Sequence, residues 1–219
     1  MAKLNPIFFS VVCVGSFNPA ILSTGFLKDS CGFELAGEIT EENTPFVSKI
    51  ENTEISILAE LSKFQIVLRH YDKQGMQAIV DLGLKYLDVL KYTPISAFGV
   101  NFYFTCSDVP ADGLNPKFYE HLRNIGLEFS NDLEMVSTMK YDRAGLAKLR
   151  GAEIRIRVLD ELIGRLSLNN LNGEMTVNLN FEISKLDKKR DGAVSLKKQF
   201  DEIVKLKEEI CNKAFKILD

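Results

Sequence analysis

The pattern of apolar and polar positions along the chain predicts strands first and helices second. "IFFSVVCVG", residues 7 to 15, is a continuous apolar run rich in Val and Phe, which suits a strand buried on both faces. "GSFNPAIL" ends it, because Pro19 lacks a backbone donor and restricts Asn18 before it. A loop follows through "KDSCGFELAGEITEEN". Then "EISILAEL" (54–61) and "FQIVLRHY" (64–71), parted only by "SK", read as a hairpin or one bent strand.

Residues 72 to 92 change period. Met76, Ile79, Val80, Leu84 and Leu87 recur at helical spacing, Asp72 is placed to cap the first turn, and Pro94 stops the helix near Thr93. "AFGVNFYFTC" then alternates, with Val100, Phe102, Phe104 and Cys106 opposed to Asn101, Tyr103 and Thr105. "SDVPADGLNP" has loop composition. A short helix over "PKFYEHLRNIGLEF" has Asn115 as its cap and Pro116 in its first turn.

From residue 133 the pattern is strand-like again. "AEIRIRVL" and "EMTVNLNFEISKL" alternate, the latter with Met175, Val177, Leu179, Phe181 and Ile183 on one face and Thr176, Asn178, Asn180 and Glu182 on the other. After the charged link "DKKRDG", Leu196, Phe200, Ile203, Leu206, Ile210, Ala214 and Ile217 form one stripe of a long final helix, with Ser195 as its cap. No repeat of fixed period is apparent.

This order predicts an α+β fold: a mainly antiparallel or mixed sheet, helices packed on one face, and a long amphipathic C-terminal helix. At 219 residues the chain suits one compact domain or two packed halves, 1–130 and 131–219. Apolar residues make up 46% and charged residues 26%, the balance of an ordinary globular protein.

Charge and cysteine usage then narrow the function classes. Twenty-seven basic and 30 acidic residues leave a net charge of −3, so no global field draws the chain to nucleic acid or an anionic membrane. The longest apolar runs are shorter than the roughly 20 residues a membrane helix needs, and the expectation is a cytoplasmic protein with no membrane contact. Cys13, Cys31, Cys106 and Cys211 form no short-spaced pair and only two histidines accompany them, so neither a metal site nor any other cofactor is expected.

Candidate chemistry is sparse. "VGSFNP" lacks the second glycine of a serine-nucleophile elbow. Gly99 stands alone between a helix and a strand, the reverse of the order in a phosphate-cradling loop. His70, Tyr71 and Asp72, with Arg69 before them, are the one local cluster able to support catalysis, at a strand-to-helix junction where Asp72 already has a capping role. Arg155 and Arg157 could line a basic strip that touches phosphates, or pair with Glu153, Asp160 and Glu161 nearby. Asn178 and Asn180 make a neutral polar face that could meet a partner or simply water.

Two fragments together carry a family likeness. "VGSFNPAILSTGFLKD" and "YTPISAFGVNFYF" place Phe17, Asn18, Pro19 and Ile21 in an FNP-x-I motif, and Thr93, Pro94, Ile95, Gly99, Val100 and Asn101 in a TPI-xxx-G-[IV]-N motif. In this the chain resembles a widespread family of uncharacterised bacterial proteins, departing from it in having Tyr92 where histidine is common and no tryptophan after the first motif. The resemblance implies a fold and a bacterial or phage-like cytoplasmic origin. It implies no reaction.

Three functions follow in order of preference. The first is a non-catalytic binding or assembly protein, self-associating or bound to a protein partner through a sheet face and amphipathic helices. The second is a small-ligand protein, or an enzyme built on His70, Tyr71 and Asp72, with a cavity between sheet and C-terminal helix. The third is nucleic-acid binding through the strip at Arg155 and Arg157.

Overall fold

The computed structural model describes residues 4–70, 72–106, 109, 114–129, 133–141, 145–157, 162–171, 174–183 and 197–215. The fold is α+β, built on antiparallel sheet. Its strands are β1 (Leu4–Gly15), β2 (Thr40–Asn43), β3 (Val47–Glu51), β4 (Ile55–Glu60), β5 (Lys63–Leu68), β6 (Ile95–Cys106), β7 (Leu133–Tyr141), β8 (Ala147–Arg157), β9 (Leu162–Leu171) and β10 (Glu174–Ile183). Its helices are α1 (Thr24–Cys31), α2 (Lys73–Val89), α3 (Lys117–Phe129) and α4 (Phe200–Phe215).

The chain divides into two compact units. One holds Phe8–Asn101 and Glu182–Phe200, the other Met1–Ile7, Phe102–Phe181 and Asp201–Asp219. The dividing point near residue 130 expected from sequence falls inside the second of these, and β6 passes from one unit to the other at Asn101 and Phe102.

Each unit is built in the same chain order: a strand, a helix, a four-stranded meander, a second helix. In the first this is β1, α1, β2 to β5, α2; in the second, β6, α3, β7 to β10, α4. Strand neighbours agree as well, running β2-β3-β4-β5-β1 in the first and β7-β8-β9-β10-β6 in the second. The sequence shows no repeat of fixed period because the loops and helices differ in length, and the duplication appears only in the order and pairing of the elements.

A local signature accompanies it. Asn18 and Asn115 each precede a proline, and each side chain accepts from the amide two residues on, Ala20 at 3.2 Å and Lys117 at 2.9 Å. Their carbonyls accept from Ile21 (3.2 Å) and Phe118 (2.9 Å) in turn. Asn satisfies the first orphan amide, and Pro sets the backbone angle for the turn.

In the first unit, antiparallel registers line up core rows on one face of the sheet. Val11, Ile66, Ile57 and Ile50 form one row, and Cys13, Phe64, Ala59 and Ser48 the next. All eight are at most 1% exposed. Each large apolar side chain buried so fully contributes on the order of 2 kcal/mol. Helix α2 lies on this face: a Cβ on Gly83 would come within 3.1 Å of Val11 and 3.8 Å of Phe98.

The other side of β1 differs from the expectation of burial on both faces. There Val14 is 41% exposed, while Ser10 on the same side is buried. Three elements, α1, β2 and β3, lie where the sequence pattern suggests loop or polar link. Helix α1 is short, begins at Ser23, whose hydroxyl accepts from Phe26 at 3.1 Å, and ends at Gly32 with φ of 61°.

Along β10, Met175, Val177, Leu179, Phe181 and Ile183 are all buried, as their alternation predicts. On α4, Phe200, Ile203, Ile210 and Ala214 are buried and Leu206 is half-buried. Ser195, Leu196 and Ile217 lie outside the described residues.

Candidate functional site

The two proline motifs, distant in sequence, meet in the first unit. Strand β1 ends at Gly15, where a Cβ would run into the Pro94 carbonyl oxygen. This close approach lets the Ser16 amide donate to that oxygen at 2.9 Å, while the Phe17 amide donates to Leu61 at 2.9 Å. The Phe17 ring turns inward against Phe64 and Tyr86, with centroids 6.2 and 6.4 Å away. On the other side α2 unwinds, the Leu90 amide donating to the Tyr86 carbonyl and the Thr93 amide to that of Leu90.

Between these ends lies an open cleft of about 500 Å³, lined by Ser16 to Asn18, Ile21 and Val89 to Pro94. Tyr92 stands 87% exposed at its rim, with the Lys91 ammonium 5.3 Å from its ring centroid. Val89 is 40% exposed. The lining offers an apolar floor, one ammonium and one exposed ring. It can hold an apolar or aromatic group, but among these lining residues no carboxylate or imidazole is present to move a proton.

In the cluster at 69 to 72, Arg69 and Asp72 hold the fold together. Arg69 donates to the Asn52 carbonyl at 2.7 Å and to Glu51 Oε2 at 3.0 Å, tying the end of β5 to the β3–β4 turn. With Lys49 acting first and Arg69 adding to it, the Glu51 carboxyl is held below its usual range. Asp72 caps α2, its side chain accepting from the Gly75 amide at 2.7 Å. His70 is exposed between them, and Tyr71 lies outside the described residues.

The second unit holds the other candidates on β8 and β10. Arg155 of β8 sits opposite Glu134 of β7 and Arg165 of β9. It donates to Glu134 Oε2 at 3.2 Å, and Arg165 Nε lies 3.4 Å from Glu153 Oε1. The expected basic strip is thus a mixed row in which each of these arginines has an acidic neighbour. Arg157 ends β8 opposite Ile163, its side chain outside the described set. Asn178 and Asn180 are half-buried on β10. Beside this row, Val136, Glu153, Ser167 and Asn169 line an open groove of about 430 Å³, with Val136 69% exposed.

Other reactive side chains are occupied or shielded. All four thiols are free and buried; burial pushes Cys13 and Cys211 up to about 12, and raises Cys31 as well. His121 Nε2 lies 2.9 Å from the Lys213 carbonyl, which can only accept, so this nitrogen carries the hydrogen and clasps α3 to α4. Among the described residues no group of three His, Cys, Asp or Glu side chains is placed to hold a metal ion, and no helix is long and apolar enough to cross a membrane.

Sequence alone did not mark Val89, Lys91 or Val136, since single exposed residues break no pattern. The signal for the cleft was the pair of proline motifs, whose partnership appears only when β1 and β6 are placed side by side. Set against models of known protein families and against curated proteins, the chain matches none.

Proposed function

We propose that this chain is a non-catalytic binding and assembly protein, acting through a sheet face as a homo-oligomer or as a subunit of a larger complex. The observation that carries this reading is the outward side of β7 to β9. There Val136, 69% exposed, sits among oppositely charged neighbours, an apolar centre with a polar surround. The groups best suited to catalysis add support, because Asp72, His121 and the thiols are spent on capping, clasping and packing. A cytoplasmic location belongs to the same reading, supported by four free thiols.

A second reading is favoured by a different feature. The cleft at Ser16 and Tyr92, rather than a space beneath the C-terminal helix, is where a small apolar or aromatic ligand would sit. The nucleic-acid reading draws less support, since Arg155 and Arg165 each have an acidic neighbour. Native mass spectrometry of gently purified protein separates these. A multiple of 24.7 kDa supports assembly, a 24.7 kDa chain with a discrete added mass supports the ligand reading, and a bare monomer counts against both.

A further inference from the structure

Strand β7 is an edge: among the described residues its one strand neighbour is β8. It is nine residues long, Leu133–Tyr141. The register shift between β7 and β8 at Thr138 and Met139 skips Arg150, so the extra residue belongs to β8 and leaves β7 unbulged. Val136 and Met139 on it are 69% and 36% exposed. Long, unbulged edges with exposed apolar side chains are templates for another strand.

The edge strand of the other unit makes the contrast. Strand β2 is four residues long and fully exposed, and carries Glu41 and Glu42 side by side. Two copies brought together there would set acid against acid, a common protection against pairing.

We infer that β7 pairs antiparallel with β7 of a second copy of this chain, centred on Ser137, so that two sheets become continuous across a twofold axis. This rests on the assembly reading above and names its surface. The choice of occupant comes from charge and register. Centring on Ser137 places Glu134 across from Lys140 of the second copy, and by symmetry Lys140 across from its Glu134. Met135 then stands opposite Met139 in the register. Shifting the centre by one residue either way takes Glu134 out of register with Lys140. Glu134 keeps its contact with Arg155 while its side chain stays 73% exposed, open to a second cation.

The test uses the full chain and cysteine cross-linking. In an antiparallel pair the central residues lie roughly 4.5 to 5.5 Å apart at Cα, within disulfide range. The four natural thiols are at most 9% exposed, so bridging reports the added one. Under mild oxidation Ser137→Cys should form a covalent dimer of twice 24.7 kDa at least about tenfold faster than Val136→Cys, whose own copy is diagonal to it. Lys140→Glu should raise the dissociation constant roughly tenfold, and adding Glu134→Lys should bring it back. Equal cross-linking at both positions, or none, in a protein that still has dimeric mass overturns the β7 pairing and leaves assembly through another surface. A monomer at every concentration overturns both.

Discussion

Asn18 and Asn115 hold the same place in the two units: each follows the leading strand, precedes a proline, and accepts through its side chain from the amide two residues on. The same hydrogen bonds therefore open the first helical turn of both meander units. Replacing either residue by Ala should lower stability by about 1 kcal/mol, and Asp should retain most of it. With no shared partner, the two losses should sum in the double variant, as read by urea denaturation. A double loss far from the sum would contradict two independent turns.

Tyr86 lies flat on Phe64, with centroids 3.8 Å apart and planes 3° from parallel, and its hydroxyl is fully buried with no hydrogen-bond partner among the described residues. A buried hydroxyl without a partner costs about 1 to 3 kcal/mol, so Tyr86→Phe should stabilise the protein by roughly 1 kcal/mol. Tyr86→Ala should cost about 4 kcal/mol by leaving a cavity beside Phe17, Phe26 and Phe64. Thermal unfolding of both variants checks the opposite signs.

The glycines divide by what surrounds them. Gly15→Ala should cost about 3 kcal/mol, because the new methyl meets the backbone of Pro94 and one of the two chains must move. Gly25→Ala in α1 meets nothing closer than 3.9 Å and should add about 0.5 kcal/mol. Fluorescence of Tyr92, at the rim of the cleft, should change in the first variant and not in the second.

Alkaline pH should destabilise the fold through its thiols. Cys13 and Cys211 titrate near 12 when folded, against 9.0 for an exposed thiol. Above pH 9 the unfolded chain releases protons that the folded chain keeps, so stability present below pH 9 falls as pH rises towards 12. Denaturation midpoints between pH 8 and 11 should decline, and Cys13→Ala with Cys211→Ala should flatten the decline. At pH 8 the native protein should react with a thiol reagent far more slowly than the denatured one.

Much of the fold was legible because its signals are local. Asp72 and Pro94 bracket α2, and the alternation from Met175 to Ile183 marks β10 before any contact is known. Helix α1 was hidden by its polar composition, although Ser23 and Gly32 carry both caps. Strand β2 was hidden because an exposed edge of "TEEN" has no apolar face to alternate. The duplication escaped because loop lengths differ, leaving only Phe17-Asn18-Pro19 and Leu114-Asn115-Pro116 as its trace. The cleft and the mixed row at Arg155 depend on strand neighbours, which no single segment encodes.

Self-association is the central claim, and sedimentation equilibrium over a hundredfold range of concentration tests it most directly. The account predicts a mass rising to twice 24.7 kDa, with Lys140→Glu shifting the rise to higher concentration. A mass of 24.7 kDa at every concentration would contradict it.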